Sequence, residues 1–109
     1  MARGEVSRGQ IWMYEFRAPD KRRPVLVLTR NDAIPLLQAV LVAPVTSTIR
    51  GSPAEVRLGI SEGLKDESAA NLDAVQCVER ARLRRYLGTV GPPKMREVCR
   101  ALAIATGCD

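Results

Sequence analysis

One arginine and a run of three hydroxyl side chains are the residues best suited to chemistry in this chain. Arg23 stands before Pro24 at the mouth of the apolar run Val25–Leu28, and Thr46, Ser47 and Thr48 close a second apolar run, Ala39–Val45. If the two runs are neighbouring strands, the loops Arg17–Arg23 and Thr46–Ser52 share one rim. A guanidinium and several hydroxyls would then converge as hydrogen-bond donors matched to the oxygens of a phosphodiester. Hydroxyls at strand ends also commonly cap turns, so both uses stay open at this point.

What is missing narrows the chemistry further. The sequence has no histidine, which removes imidazole as base, acid or metal ligand, and with it paired-histidine ribonuclease chemistry, histidine-dependent triads and the HExxH zinc site. Asp20, Asp32, Glu55, Glu62, Asp66, Glu67, Asp73 and Glu79 show no compact metal-ligand spacing, and there is no Walker loop, GxSxG or GxGxxG. No metal and no other cofactor is expected.

Charge and cysteine content bear on partners and compartment. Seventeen Lys and Arg face twelve Asp and Glu, a net charge of +5 that draws the protein toward polyanions. Fourteen of these cations are arginine, whose guanidinium pairs with phosphate through two parallel hydrogen bonds where an ammonium acts as a point charge. Three cysteines without CxxC spacing indicate neither a disulfide framework nor a zinc site, and point to a reducing compartment. The charged opening MARGEVSRG lacks the apolar run of a signal peptide, and no stretch approaches the roughly 18 apolar residues of a membrane span. A cytoplasmic protein with no membrane contact is expected.

The elements that must position these groups are mostly short strands. Gly9–Phe16 reads as a first strand, Val25–Leu28 as a second buried on both faces, and Ala39–Val45 as a third, with Pro44 near its end. Ala54–Leu58 alternates as a half-exposed strand, and 69–78 is two short strands or one bent one. Arg80, Arg82, Arg84 and Arg85 are expected in a single turn before a last strand at Tyr86–Val90, either solvated or around an anion. Pro92-Pro93 opens a terminal helix with Met95, Val98, Cys99, Leu102 and Ala105 at helical spacing, and Gly107 stops it. Ile104 falls on its polar face, where it is either a scattered exposed apolar residue or a subunit contact. At 109 residues, with an aromatic share of 4%, the chain is one mainly β domain, spanning 1–109, with an aliphatic core and a C-terminal helix.

Four segments in this order carry a resemblance: Arg-Gly-Gln-Ile-Trp near the start, Arg23–Leu28, Ala43–Gly51 and Leu87–Val90. Together they are similar to the MazF/PemK family of toxin endoribonucleases, over about Gly4 to Gly107. The resemblance implies an SH3-like small barrel of the CcdB/MazF/PemK type, acting as a homodimer that cuts single-stranded RNA at short sequences without a metal. It also implies a cognate MazE-like antitoxin that lays an acidic flexible tail in the same groove. Position by position, Arg23 and Thr46 match the family's catalytic arginine and threonine, and Asp73 stands where several members place an acid. Asn71 replaces an arginine used in one branch. Arg17, Lys21, Arg22, Ser47, Thr48 and Arg50 are the residues expected to bind RNA around them. Two alternatives share the fold: a gyrase poison of the CcdB type, which relies on a Trp-containing C-terminus whereas this chain's only Trp is Trp12, and a barrel that binds RNA without cutting it.

Overall fold

The computed structural model describes residues 5–16 and 22–109. Seven strands, β1 (Gln10–Glu15), β2 (Arg22–Val27), β3 (Ala39–Thr46), β4 (Glu55–Leu58), β5 (Ser68–Asn71), β6 (Gln76–Glu79) and β7 (Leu83–Thr89), precede one helix, α1 (Pro92–Thr106). All pairings are antiparallel, in the order β4-β5-β3-β2-β1-β7 with β6 also on β3. Strand β3 gives its first half to β6 and its end to β5, so it belongs to two sheets at once.

Curvature follows from chain length. Strands β7 and β6 lie at opposite edges of the five-strand path β7-β1-β2-β3-β6, which laid flat would hold them about 19 Å apart. Only the 3-10 turn Arg80–Arg82 joins them, and four extended residues reach at most about 14 Å. The sheet must therefore roll up, which gives the small barrel that the sequence suggests.

The apolar runs are continuous because β1, β2 and β3 are covered on both faces. Alternate residues enter two buried clusters: Ile11, Leu26, Ala43 and Val45 join one with Val98 and Ala101 of the helix, while Trp12, Val25, Val27, Val40 and Val42 join the other with Tyr14 and Leu83. The pleat sends successive side chains to opposite sides, so a strand between two cores needs an apolar residue at every position.

Three expectations shift. The segment 69–78 divides into β5 and β6, separated by a 3-10 turn at Leu72–Ala74 that Asn71 caps through the Asp73 N–H (3.0 Å). The last strand starts at Leu83 and takes in Arg84 and Arg85, so the four arginines do not share one turn. In α1 the buried stripe is Val98 and Ala101, flanked by half-buried Met95, Leu102 and Ala105. Cys99 lies one step round the helix from that stripe, exposed, with the Arg8 guanidinium donating to its Sγ at 3.3 Å. Ile104 is exposed as expected, and Gly107 ends the helix at φ +75°. No helix among the described residues is long and apolar enough to cross a membrane.

Burial of this kind predicts a sharp contrast between two leucines. Leu26→Ala, at a fully buried position, is expected to lose about 2–5 kcal/mol of unfolding free energy in urea titration, and Leu36→Ala, at a position 83% exposed, less than about 0.5 kcal/mol.

Candidate active site

The pairing of β2 with β3 decides the site. Its register runs Val25↔Pro44, Leu26↔Ala43, Val27↔Val42, and the same register continued two steps past the last pair would bring Arg23 opposite Thr46. Both residues line one open cleft of about 460 Å³. Arg22 and Pro24 flank Arg23 there, Val45 and Ser47 flank Thr46, and Met13 and Leu87 add apolar surface from β1 and β7.

Thr46 is oriented by its own turn. Its Oγ1 accepts the Thr48 N–H at 3.1 Å, which uses one lone pair and leaves the hydroxyl proton to donate elsewhere. Arg22, Arg23, Lys65 and Arg85 meet a single carboxylate, Asp66, in the cleft wall. Four cations against one acid make this a cleft for an anion.

The wall opposite the β2–β3 rim is the loop after β4. Gly63, Leu64, Lys65, Asp66 and Ser68 face the cleft, and they are held there by a backbone-to-backbone contact. Gly63, at φ +91°, lies so close to the Leu87 carbonyl that no Cβ fits, and a Cβ on Gly88 would run into the Glu62 carbonyl. The Glu62 carboxylate also accepts the Gly59 N–H at 2.6 Å, closing the turn before it.

Strand β7 contributes through two irregularities. Its register against β1 shifts between Ile11 and Trp12 and again between Met13 and Tyr14, which makes Leu87 and Arg84 the extra residues of two bulges. Leu87 is thereby turned into the cleft, and Arg84 joins Arg85 over an adjoining groove. Arg82 is engaged otherwise: its Nε donates to the Glu15 carbonyl at 3.1 Å, and its guanidinium lies 5.7 Å from the centre of the Tyr14 ring.

The expected site residues therefore separate. Arg22, Arg23, Thr46 and Ser47 come together in the cleft. Thr48 and Arg50 sit on the loop beyond it, which the Glu55 carboxylate organises by accepting the backbone N–H groups of Arg50, Gly51 and Ser52, with contacts between 2.8 and 3.3 Å. Asp73 is exposed in the turn after β5 and is not among the residues lining the cleft. Arg17 and Lys21 lie outside the described residues. Met13, Lys65, Asp66 and the supporting Glu55 escaped the sequence reading, whereas Arg85 is among the four arginines read as either solvated or around an anion. Lys65 and Asp66 carry no local signal, because the contact that brings them in joins positions 63 and 88.

A wider depression of about 660 Å³, between Val6, Ile34 and Arg80, shares no residue with this cleft and has no hydroxyl side chain in its wall. Among the described residues no group of three or more cysteine or acidic side chains is placed to hold a metal ion.

The glycine contact is open to test. Gly88→Ala should push the 59–68 loop off β7, with a loss of about 1–3 kcal/mol seen as a lowered melting temperature. Amide hydrogen exchange at Leu64–Asp66 should become faster.

Comparison with known proteins agrees with this fold. The profile of the family described as PemK-like, MazF-like toxin of type II toxin-antitoxin system matches residues 7–106. The probable endoribonuclease MazF5 of Mycobacterium tuberculosis is 46% identical over 104 residues, 94% of each chain. Among solved structures, Mycobacterium tuberculosis toxin MazF-mt6 superimposes with a TM-score of 0.85 at 33% identity, covering 92% of this chain and 98% of that one. An endoribonuclease in complex with its cognate antitoxin from a mycobacterial species gives a TM-score of 0.85 at 28% identity, covering 96% and 98%. With the match extending from before β1 to the end of α1, the chain belongs to the PemK-like, MazF-like toxins of type II toxin–antitoxin systems.

Proposed function

We propose that the protein is the toxin of such a system, an endoribonuclease that cuts single-stranded RNA in the cleft between β2, β3 and the 59–68 loop. The observation that supports this reading is that Arg23 and Thr46 line one cleft whose wall holds four cations. The relatives named as endoribonucleases support it.

In the reaction, the ribose 2′-oxygen bonds to the adjacent phosphorus and the bond from phosphorus to the 5′-oxygen breaks, leaving a 2′,3′-cyclic phosphate and a 5′-hydroxyl. The substrate supplies its own nucleophile, so a chain without histidine has enough groups for the chemistry. Arg23 and Thr46 hold the phosphoryl oxygens as negative charge builds on them. A guanidinium stays protonated near neutrality and is a poor proton acceptor, so Arg23 stabilises charge and can donate a proton to the leaving 5′-oxygen. The 2′-hydroxyl proton needs a carboxylate within reach. Asp66, which lines the cleft, fits that role better than Asp73, which does not.

The same positive cleft suits an acidic, flexible antitoxin segment, which would occupy it in competition with RNA. Solved MazE–MazF complexes of Deinococcus radiodurans, at 25% identity and TM-scores of 0.80 and 0.82, support an antitoxin partner. The working form is a homodimer in the cytoplasm, where its RNA substrate is found.

The test is incubation with a long defined RNA in EDTA, with the new 5′ ends mapped. Cleavage to 5′-hydroxyl ends is expected, and Arg23→Ala and Thr46→Ala should each slow it about a hundredfold or more. An RNA with a single 2′-deoxy at the cut position should resist. RNA that is bound in a salt-dependent way and stays intact would identify a binding barrel instead.

A further inference from the structure

A second groove of about 400 Å³ adjoins the cleft. It shares Met13, Arg22 and Arg85 with the cleft and adds Glu15 and Arg84. Its floor is built by cross-strand pairing, since Glu15 on β1 pairs with Arg22 on β2, and Met13 on β1 pairs with Arg85 on β7. Trp12 and Tyr14 point the other way, into one core, so Met13 and Glu15 follow Ile11 along the other face of β1, past the end of the core that Ile11 enters, where both are half-buried. Strands are about 4.8 Å apart, so the two arginines rise on either side of the Met13–Glu15 row. The bulge at Arg84 adds a third guanidinium, whose Nε lies 3.6 Å from Glu15 Oε1.

Glu15 is out of keeping with a surface that only attracts phosphate. It is the single acid in this groove, beside three arginines. Its contact with Arg84 is too long for a hydrogen bond, and among the described residues no hydrogen bond to its carboxylate is present, while its backbone carbonyl is taken by Arg82. A carboxylate accepts hydrogen bonds and donates none. Next to a nucleic-acid backbone it is unfavourable unless it meets a donor, and an unpaired base offers its exocyclic amino group and, in guanine and uracil, a ring N–H.

The geometry points to a base-reading subsite next to the cut, in which Met13 carries the face of one base, Arg22 and Arg85 hold its backbone, and Glu15 accepts from the base's amino group. This inference rests on the RNA-cleaving function proposed above. The thioether of Met13 is a soft surface suited to contact with an aromatic ring. Cytosine, adenine and guanine each offer an amino group. Uracil offers one N–H between two carbonyl oxygens, which the carboxylate repels. Glu15 thus determines specificity, and Arg84 acts as a positioning residue that orients its carboxylate.

Two measurements test the subsite. In the first, cut sites on a long defined RNA are compared between the wild type and Glu15→Gln. The wild type should exclude uracil at one position beside the cut, and the variant, whose amide can also donate to a carbonyl, should accept uracil there about tenfold more often while other positions keep their preferences. The second measures binding of short oligonucleotides that carry a 2′-deoxy at the attacked ribose and differ only in that base. The wild type should favour the amino-bearing base about tenfold, and Glu15→Gln should lose the preference. Uracil tolerance that is the same in both proteins overturns the subsite and leaves the cleavage reading intact. Failure of the wild type to cut RNA overturns the cleavage reading, and the binding measurement then decides on the subsite alone.

Discussion

The register between β2 and β3 is the constraint on which the site depends, and packing on both faces of those strands fixes it. A slip by one residue would carry Val25 and Val27 out of one core and Leu26 out of the other, exchanging two sets of side chains shaped for different surroundings. The same slip would take Arg23 away from Thr46. Arg23 and Thr46 are therefore held in place by the apolar residues that follow the one and precede the other.

Around that fixed pair, the remaining walls come from places where regular structure gives way. The two bulges of β7 aim Leu87 and Arg84 outward, and the approach of Gly63 to Leu87 brings the 59–68 loop against the strand. Farther out, Glu55 fills the ring of N–H groups offered by Arg50, Gly51 and Ser52, so the loop beyond Thr46 keeps its shape without a ligand. Rigid strands thus supply Arg23 and Thr46, and irregular backbone supplies the surface around them.

How much of this is legible in the sequence depends on how local the cause is. Strands β1, β2 and β3 announce themselves because burial on both sides demands unbroken apolar runs, and α1 because its stripe repeats at 3.6 residues between Pro92 and Gly107. Arg23 and Thr46 could be paired as soon as their strands were assumed to be neighbours. The start of β7 is hidden because Arg84 and Arg85 interrupt any alternation, and a bulge removes the period by which a strand is recognised. Asp66 was one acid among many until a contact between positions 63 and 88 brought it in, and Asp73, chosen by resemblance, sits in a turn outside the cleft.

The position of β7 at the end of the strand order has a consequence for solubility. A terminal strand presents unpaired N–H and C=O groups that invite another chain to add on, and proteins blunt such margins with bulges and with charge. Strand β7 has both, in its two register shifts and in Arg84 and Arg85. The guanidinium groups that face the groove thus also discourage the edge-to-edge addition of further strands at β7.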